Sequence, residues 1–146
     1  MEQITIPIGC DHAAYEMKEA LKKWLDESAY KIIDFGTTSS DPVDYPDFIH
    51  PVAHHVEEKI SKLGIILCGS GNGAAMTANK YKHIRAALCW TKEIAIMARL
   101  HNDANILSIP ARYVSLDEAK EIVSAFLHTE FEGGRHQRRI DKIISF

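Results

Sequence analysis

Short apolar runs alternate along this chain with segments whose apolar residues return every third or fourth position. The runs are Ile4-Thr5-Ile6-Pro7-Ile8-Gly9, Lys31 to Phe35, Gly64 to Cys68, Ile84 to Cys89 and Ile106 to Ile109. Each is too short for a helix and is bounded by glycine or polar residues, which predicts buried strands. Pro7 is the awkward residue among them, because it has no N–H for a ladder. After the first run, Met17, Ala20, Leu21, Trp24 and Leu25 repeat at helical spacing. Phe48, Val52, Val56 and Ile60 mark a second helix face, with Pro51 expected in or near its first turn. Further helices are predicted over Gly73 to Asn79 and Thr91 to Leu100. Ser115-Leu116-Asp117-Glu118 is a capping box. It opens a helix whose core face is Leu116, Ala119, Ile122, Val123, Phe126 and Leu127. Gly133-Gly134 ends that unit, and a basic helix from Arg135 to about residue 145 closes the chain with Ile140, Ile143 and Ile144 on it. Thr37 to Asp44 reads as a polar loop and His101 to Asn105 as a polar turn.

Strand and helix thus alternate about five times, the pattern of a parallel sheet with helices on both faces. Residues 1–146 are expected to form one doubly wound, Rossmann-like α/β domain. The composition, 46% apolar and 25% charged, agrees with a globular chain. A net charge of −3 with both signs interspersed gives no nucleic-acid footprint. The three cysteines form no C-x-x-C pair, which argues against a disulfide framework and a cysteine zinc site. No basic-then-apolar leader opens the sequence and no apolar run approaches membrane-spanning length, so a cytoplasmic location is expected.

In such folds ligands bind outside the carboxyl ends of the strands. The polar residues expected there are Asp11-His12, Tyr45, Cys68 with its loop, His101-Asn102 and Arg112. The loop Gly69-Ser70-Gly71-Asn72-Gly73 lets the backbone turn sharply, with its N–H groups converging next to a helix start. It is no Walker loop, because no Gly-Lys-Ser/Thr follows, and it fits the dinucleotide pattern only loosely. A phosphate or oxyanion cradle is the better reading, against a tight turn that binds nothing. Cys68 ends its strand at the lip of this loop, where a helix N-terminus favours thiolate. Position alone leaves it open between packing and chemistry. Cys10 and Cys89 read as small core hydrophobes. Of the eight histidines, His50, His54 and His55 could share a helix face, but no acid is placed to complete a metal site. His12 and His101 read as residues of strand-exit loops, where function concentrates. Arg135 and Arg139 are one helical turn apart and project from one face. That spacing suits a phosphate as well as it suits ordinary solvated charge.

Six segments in order resemble ribose-5-phosphate isomerase type B, the family that also includes galactose-6-phosphate and allose-6-phosphate isomerases. They are Gly9-Cys10-Asp11-His12-Ala13, Asp44-Tyr45-Pro46, Cys68-Gly69-Ser70-Gly71 with Ala78-Asn79-Lys80, Ile84-Arg85-Ala86, His101-Asn102-Asp103, and Glu132-Gly133-Gly134-Arg135-His136-Gln137. The resemblance implies an aldose–ketose isomerase that works through an enediolate, without metal or organic cofactor. It implies Cys68 as the base, with Ser70 and the loop N–H groups at the developing enediolate. It implies His101 as the residue that opens the sugar ring, with Asp11 as its partner. His12, Arg112, Arg135 and Arg139 match phosphate ligands, and Tyr45 and Asn102 match sugar-contacting positions. Relatives without the cysteine carry a Glu where this chain has Ala74, which leaves Cys68 as the loop's one base. A homodimer or homotetramer with sites shared between subunits is implied, the last helix packing on a partner.

The substrate pair expected is ribose 5-phosphate and ribulose 5-phosphate, with no nucleic acid or membrane partner. A six-carbon sugar phosphate is the nearest rival. Galactose-6-phosphate isomerase divides its site residues between two different chains, whereas this one chain carries the set; allose 6-phosphate stays open. The rival of another class is a non-catalytic binder of phosphosugars or nucleotides, which would not need Cys68 and His101 together.

Overall fold

The structure, a computed structural model, describes residues 3–145. Among them are five strands, β1 (Thr5–Cys10), β2 (Lys31–Asp34), β3 (Gly64–Cys68), β4 (Ala86–Leu88) and β5 (Ile106–Pro110). They form one parallel sheet in the order β2-β1-β3-β5-β4. The helices are α1 (Tyr15–Glu27), α2 (Pro46–Glu57), α3 (Asn72–Ala78), α4 (Lys92–Asn102), α5 (Leu116–His128) and α6 (Arg135–Ile143). This is the expected doubly wound domain. No helix among the described residues is long and apolar enough to cross a membrane.

The alternation of side chains along the central strands builds two cores. Ile65, Leu67, Leu107 and Ile109 face one layer, with Leu21 and Leu25 of α1, Ala95 and Ala98 of α4, and Phe126 of α5. Ile66, Cys68 and Ile106 face the other, with Ile49, Val52 and Val56 of α2 and Ala74 and Ala78 of α3. β3 and β5 are buried from end to end, so every residue faces a helix layer, and their sequences run apolar without alternation. The capping box at Ser115 is formed as expected: Glu118 N–H donates to Ser115 Oγ, and Ser115 N–H donates to Glu118.

Both prolines are accommodated where expected, and two expectations, for Ile60 and for the strand over Ile84 to Cys89, are corrected. Pro7 sits inside β1, but pairing with β3 begins only at Ile8, so that ladder does not need the missing donor. Pro51 lies near the first turn of α2, in its second, because Pro46 already occupies the start of that helix. Ile60 is 65% exposed, since α2 stops at Glu57 and Lys59 turns left-handed with φ 60°. The strand expected over Ile84 to Cys89 shortens to Ala86–Leu88.

Lys18, in the first turn of α1, is wholly buried on the same face as Leu21 and Leu25, where an apolar residue would be expected. Its ammonium donates to both oxygens of Asp34 at 2.7 and 2.8 Å and to the Thr37 carbonyl at 2.7 Å. Lys22 adds a third ammonium bond to Asp34 at 2.6 Å, and the Gly36 N–H donates to Asp34 at 2.8 Å. This network fixes the exit of β2, whose backbone pairs in turn with the end of β1 through Cys10 and Thr37. Burial pushes the Asp34 carboxyl up, but the bonds from Lys18 and Lys22 outweigh it and hold the group below the usual carboxylate range.

Because the folded carboxyl is the stronger acid, the unfolded chain takes the proton first as pH falls. Asp34 therefore contributes stability in full above about pH 4, and loses it as acid titrates the folded group. Urea unfolding at pH 7 and pH 3 should show Asp34→Asn costing about 2–4 kcal/mol at the higher pH and clearly less at the lower. An equal cost at both would show that the carboxylate charge contributes nothing.

Candidate functional site

The sheet order reverses direction between β1 and β3, because the chain passes from β1 outward to β2 and then back across to β3. The crevice at the carboxyl ends of those two strands is where open α/β sheets take ligands. Cys10 pairs with Leu67 in register, so Asp11 and Cys68 leave neighbouring strands side by side. Asp11 caps the 3-10 turn His12–Ala14, its Oδ1 accepting from the Ala13 N–H at 3.1 Å. His12 Nδ1 accepts from the Val43 N–H at 3.1 Å, which assigns the ring proton to Nε2 and makes that atom a donor. Cys68 is 4% exposed, and its side chain lies on the α2–α3 side of the sheet. Burial pushes the other two thiols, Cys10 and Cys89, up to about 12, so they remain protonated and inert as the sequence reading expects.

The glycine loop earns its glycines by close approach. Gly71 adopts φ 75°, and a side chain there would overlap Leu88 and press on the Ile109–Pro110 backbone. The buried Ser108 hydroxyl of β5 donates to the Gly71 carbonyl at 2.7 Å and anchors the turn from below. A side chain on Gly73 would collide with the Tyr45 ring, so Tyr45 lies directly on the loop. One on Gly69 would meet Arg112 Nη1 at 3.2 Å, and the Arg112 N–H donates to the Gly69 carbonyl at 2.9 Å. The missing side chain at Gly69 is what lets the Arg112 side chain lie against the loop. Ser70 Oγ accepts from the Asn72 N–H at 3.3 Å and from Asn72 Nδ2 at 3.2 Å. Asp11, His12, Tyr45, Cys68, the loop from Gly69 to Gly73, and Arg112 therefore gather at one edge of the sheet.

His101 and Asn102 do not join them, which corrects their expected place in a strand-exit loop. They are the last residues of α4, which ends where Asp103 turns left-handed. α4 starts at the carboxyl end of β4 and runs back to the amino edge of the sheet. There Arg85, just ahead of β4, donates to the Asn102 carbonyl at 3.0 Å, and the Asn105 carbonyl accepts from Gly64, the first residue of β3. β3 is five residues long, so roughly 16 Å of sheet separates this edge from Cys68. The partnership expected between His101 and Asp11 is accordingly absent within the chain. His101 instead stacks on His136 of α6, ring centroids 4.2 Å apart and planes 16° apart. Its Nε2 lies 3.6 Å from Glu132 Oε2. Arg135 and Arg139 stand on the same helix, with Arg139 Nη1 3.5 Å from His136 Nδ1.

His136 is the residue in this second group that the sequence reading passes over. It is 4% exposed, and its desolvation, with the charges of His101 and Arg135, holds the ring below its ordinary pKa. The available signal was its spacing: Glu132, His136 and Ile140 recur every fourth residue, and Ile140 is buried with His136. Ser108 was hidden in the same way, as one hydroxyl in an apolar strand.

Comparison with known proteins joins the two groups to one family. The family described as Ribose/Galactose Isomerase matches residues 6–143. Ribose-5-phosphate isomerase B of Escherichia coli is 41% identical over 140 residues, covering 96% of this chain and 94% of that protein. The crystal structure of a ribose 5-phosphate isomerase of Thermotoga maritima superposes with a TM-score of 0.97 at 44% identity, covering 99% of this chain and 100% of that one. Ribose-5-phosphate isomerase B of Mycoplasma genitalium, solved with bound ribulose-5-phosphate, gives a TM-score of 0.93 at 40% identity, covering 99% and 96%. The chain belongs to the ribose/galactose isomerase family.

The close packing of the loop makes a stability prediction. Gly71→Ala combines a strained φ with overlap against Leu88 and should cost about 3 kcal/mol or more. Gly133→Ala, at φ 77° with nothing within 4 Å, should cost only about 1 kcal/mol. Urea titration of both variants checks the difference; equal losses would mean that the contact with Leu88 is not limiting.

Proposed function

We propose that this protein interconverts ribose 5-phosphate and ribulose 5-phosphate, with Cys68 as the base. The observation that carries the reading is a relative at 40% identity, solved with ribulose-5-phosphate. In support, a cysteine stands here at the crevice beside a glycine loop and an arginine. The thiolate of Cys68 takes the proton from the second carbon of the open-chain aldose. The electron pair moves into the bond with the first carbon, and negative charge builds on the carbonyl oxygen. The Ser70 hydroxyl and the loop N–H groups are the donors next to that oxygen. Returning the proton to the first carbon, with proton exchange between the two oxygens, completes the ketose.

The phosphate is held by Arg112 and the Nε2–H of His12 at one end of the cleft, and by Arg135 and Arg139. Those last two, with His101 and Asn102, lie at the opposite edge of their own sheet. The reading therefore requires a homo-oligomer in which one subunit brings Cys68, Ser70, Tyr45, Asp11, His12 and Arg112, and its partner brings the other four. α6, with its exposed Ile143 and the exposed Ile144 that follows it, then packs against the partner. In that arrangement His101 opens the sugar ring by moving a proton from the anomeric hydroxyl to the ring oxygen. Clamping the phosphate away from the reacting carbons keeps the open chain in register. Sugar phosphates are ionised and cross bilayers poorly, so a cytoplasmic location belongs to the same proposal.

Proton exchange followed by NMR in heavy water tests the reading. Wild-type protein should place deuterium on the second carbon of ribose 5-phosphate and form ribulose 5-phosphate. Exchange confined to allose 6-phosphate would move the substrate to six carbons. Cys68→Ala should lose at least about a thousandfold in turnover while still binding the phosphosugar, because the thiol acts in the transition state. Turnover close to wild type in that variant would remove Cys68 as the base.

A further inference from the structure

His101 is the penultimate residue of α4, and the helix ends one residue later where Asp103 turns left-handed. A half-buried imidazole at a helix end would ordinarily sample several rotamers. Here it lies flat against His136 of α6, ring centroids 4.2 Å apart and planes 16° apart. The main chain sets that approach, since the Glu132 N–H donates to the Leu100 carbonyl at 3.1 Å and ties the segment before α6 to the end of α4. Ile140, one helical turn on from His136, is buried with it and seats α6.

Packing alone does not call for a histidine at position 136. The residue is 4% exposed, and its Nε2 is buried without a hydrogen-bond partner among the described residues, which costs stability. A leucine would fill the space without that cost. What the imidazole offers instead is a flat, polarisable face for a second ring. Desolvation, with the charges of His101 and Arg135, holds the His136 ring below its ordinary pKa, so it is neutral near pH 7. A neutral ring can stay stacked while His101 carries a proton, whereas two imidazolium ions in contact would repel. We propose that His136 is a positioning residue, whose ring face holds the His101 imidazole in the orientation that moves a proton between the anomeric hydroxyl and the ring oxygen of the aldose. This rests on the reading of His101 as the ring-opening residue. The contribution of His136 is confined to that step, because proton transfer between the two carbons belongs to Cys68 on the other edge of the sheet.

Two reactions of the full-length protein in heavy water separate the steps. Conversion of ribose 5-phosphate starts from a closed ring. Ribulose 5-phosphate has its fifth-carbon oxygen esterified and cannot close a five-membered ring, so deuterium exchange at its first carbon needs no ring step. In that exchange the C–H bond breaks toward the thiolate, the thiol proton is replaced from solvent, and a C–D bond forms. His136→Leu keeps roughly the volume and removes the flat face, whereas His136→Phe keeps a ring. The Leu variant should lose at least about tenfold in ribose 5-phosphate conversion while ketose exchange stays within about threefold of wild type. His101→Asn should show the same split, and adding His136→Leu to it should cost nothing further. His136→Phe, folded by circular dichroism, should recover most of the conversion. Wild-type conversion by His136→Leu, equal loss of both reactions, no recovery in folded His136→Phe, or losses that multiply in the double variant would each overturn the positioning role. Wild-type conversion by His101→Asn would instead remove His101 from the reaction, and the role of His136 with it.

Discussion

A helix that follows a parallel strand must carry the chain back by the length of the sheet before the next strand can begin. That constraint decides what this fold can and cannot bring together. Residues in strand-exit loops collect at one edge, whereas residues at helix ends collect at the other. Cys68, its glycine loop, His12 and Arg112 belong to the first class. His101 and Asn102 end α4 and belong to the second, and the stacking of His101 on His136 ties α6 to the same edge. The two groups carry different side chains, a thiol with a glycine loop on one side and an imidazole with guanidinium groups on the other. A single copy of the chain leaves them a sheet length apart.

The rest of the architecture serves the first edge. β1 and β3 are adjacent, so Asp11 and Cys68 emerge side by side at the point where the strand order reverses. The turn after β3 is held by the Ser108 hydroxyl and by the packing of Leu88 against Gly71. Tyr45 and Arg112 then settle on glycines that offer no side chain to keep them off. On the far side of β1, the buried Lys18 and its bonds to Asp34 and Thr37 fix the loop that follows β2. The proposed placement of a thiol, a hydroxyl and an imidazole around one sugar needs such rigidity, because small misplacements weaken catalysis severely.

Much of the fold was legible in the sequence because periodicity reports burial directly. The apolar runs at Gly64 to Cys68 and Ile106 to Ile109 can only be strands covered on both sides, and the capping box at Ser115 fixes the start of α5. The limits were local. Pro51 and Ile60 fit a helical spacing whose true ends depend on Pro46 and on the left-handed turn at Lys59. His101 and Asn102 look like loop residues because they are polar, and an exposed helix end is polar too. The roles of Lys18, Ser108 and His136 depend on partners distant in sequence: helical spacing groups Lys18 with Leu21 and Leu25, and His136 with Ile140, but it names no polar partner for either. The family resemblance supplied the expected members of the site, but only the coordinates separate those residues into two edges.

The central claim is that neither edge suffices alone, and mixing two inactive variants tests it most directly. Cys68→Ala and His101→Ala, unfolded together in equal amounts and refolded, would distribute at random between subunits. If each site takes Cys68 from one subunit and His101 from its partner, half the pairs are mixed and each mixed pair regains one intact site of two. The account predicts recovery of about a quarter of wild-type activity from this isologous pairing. Activity no higher than the average of the two variants refolded separately would contradict it.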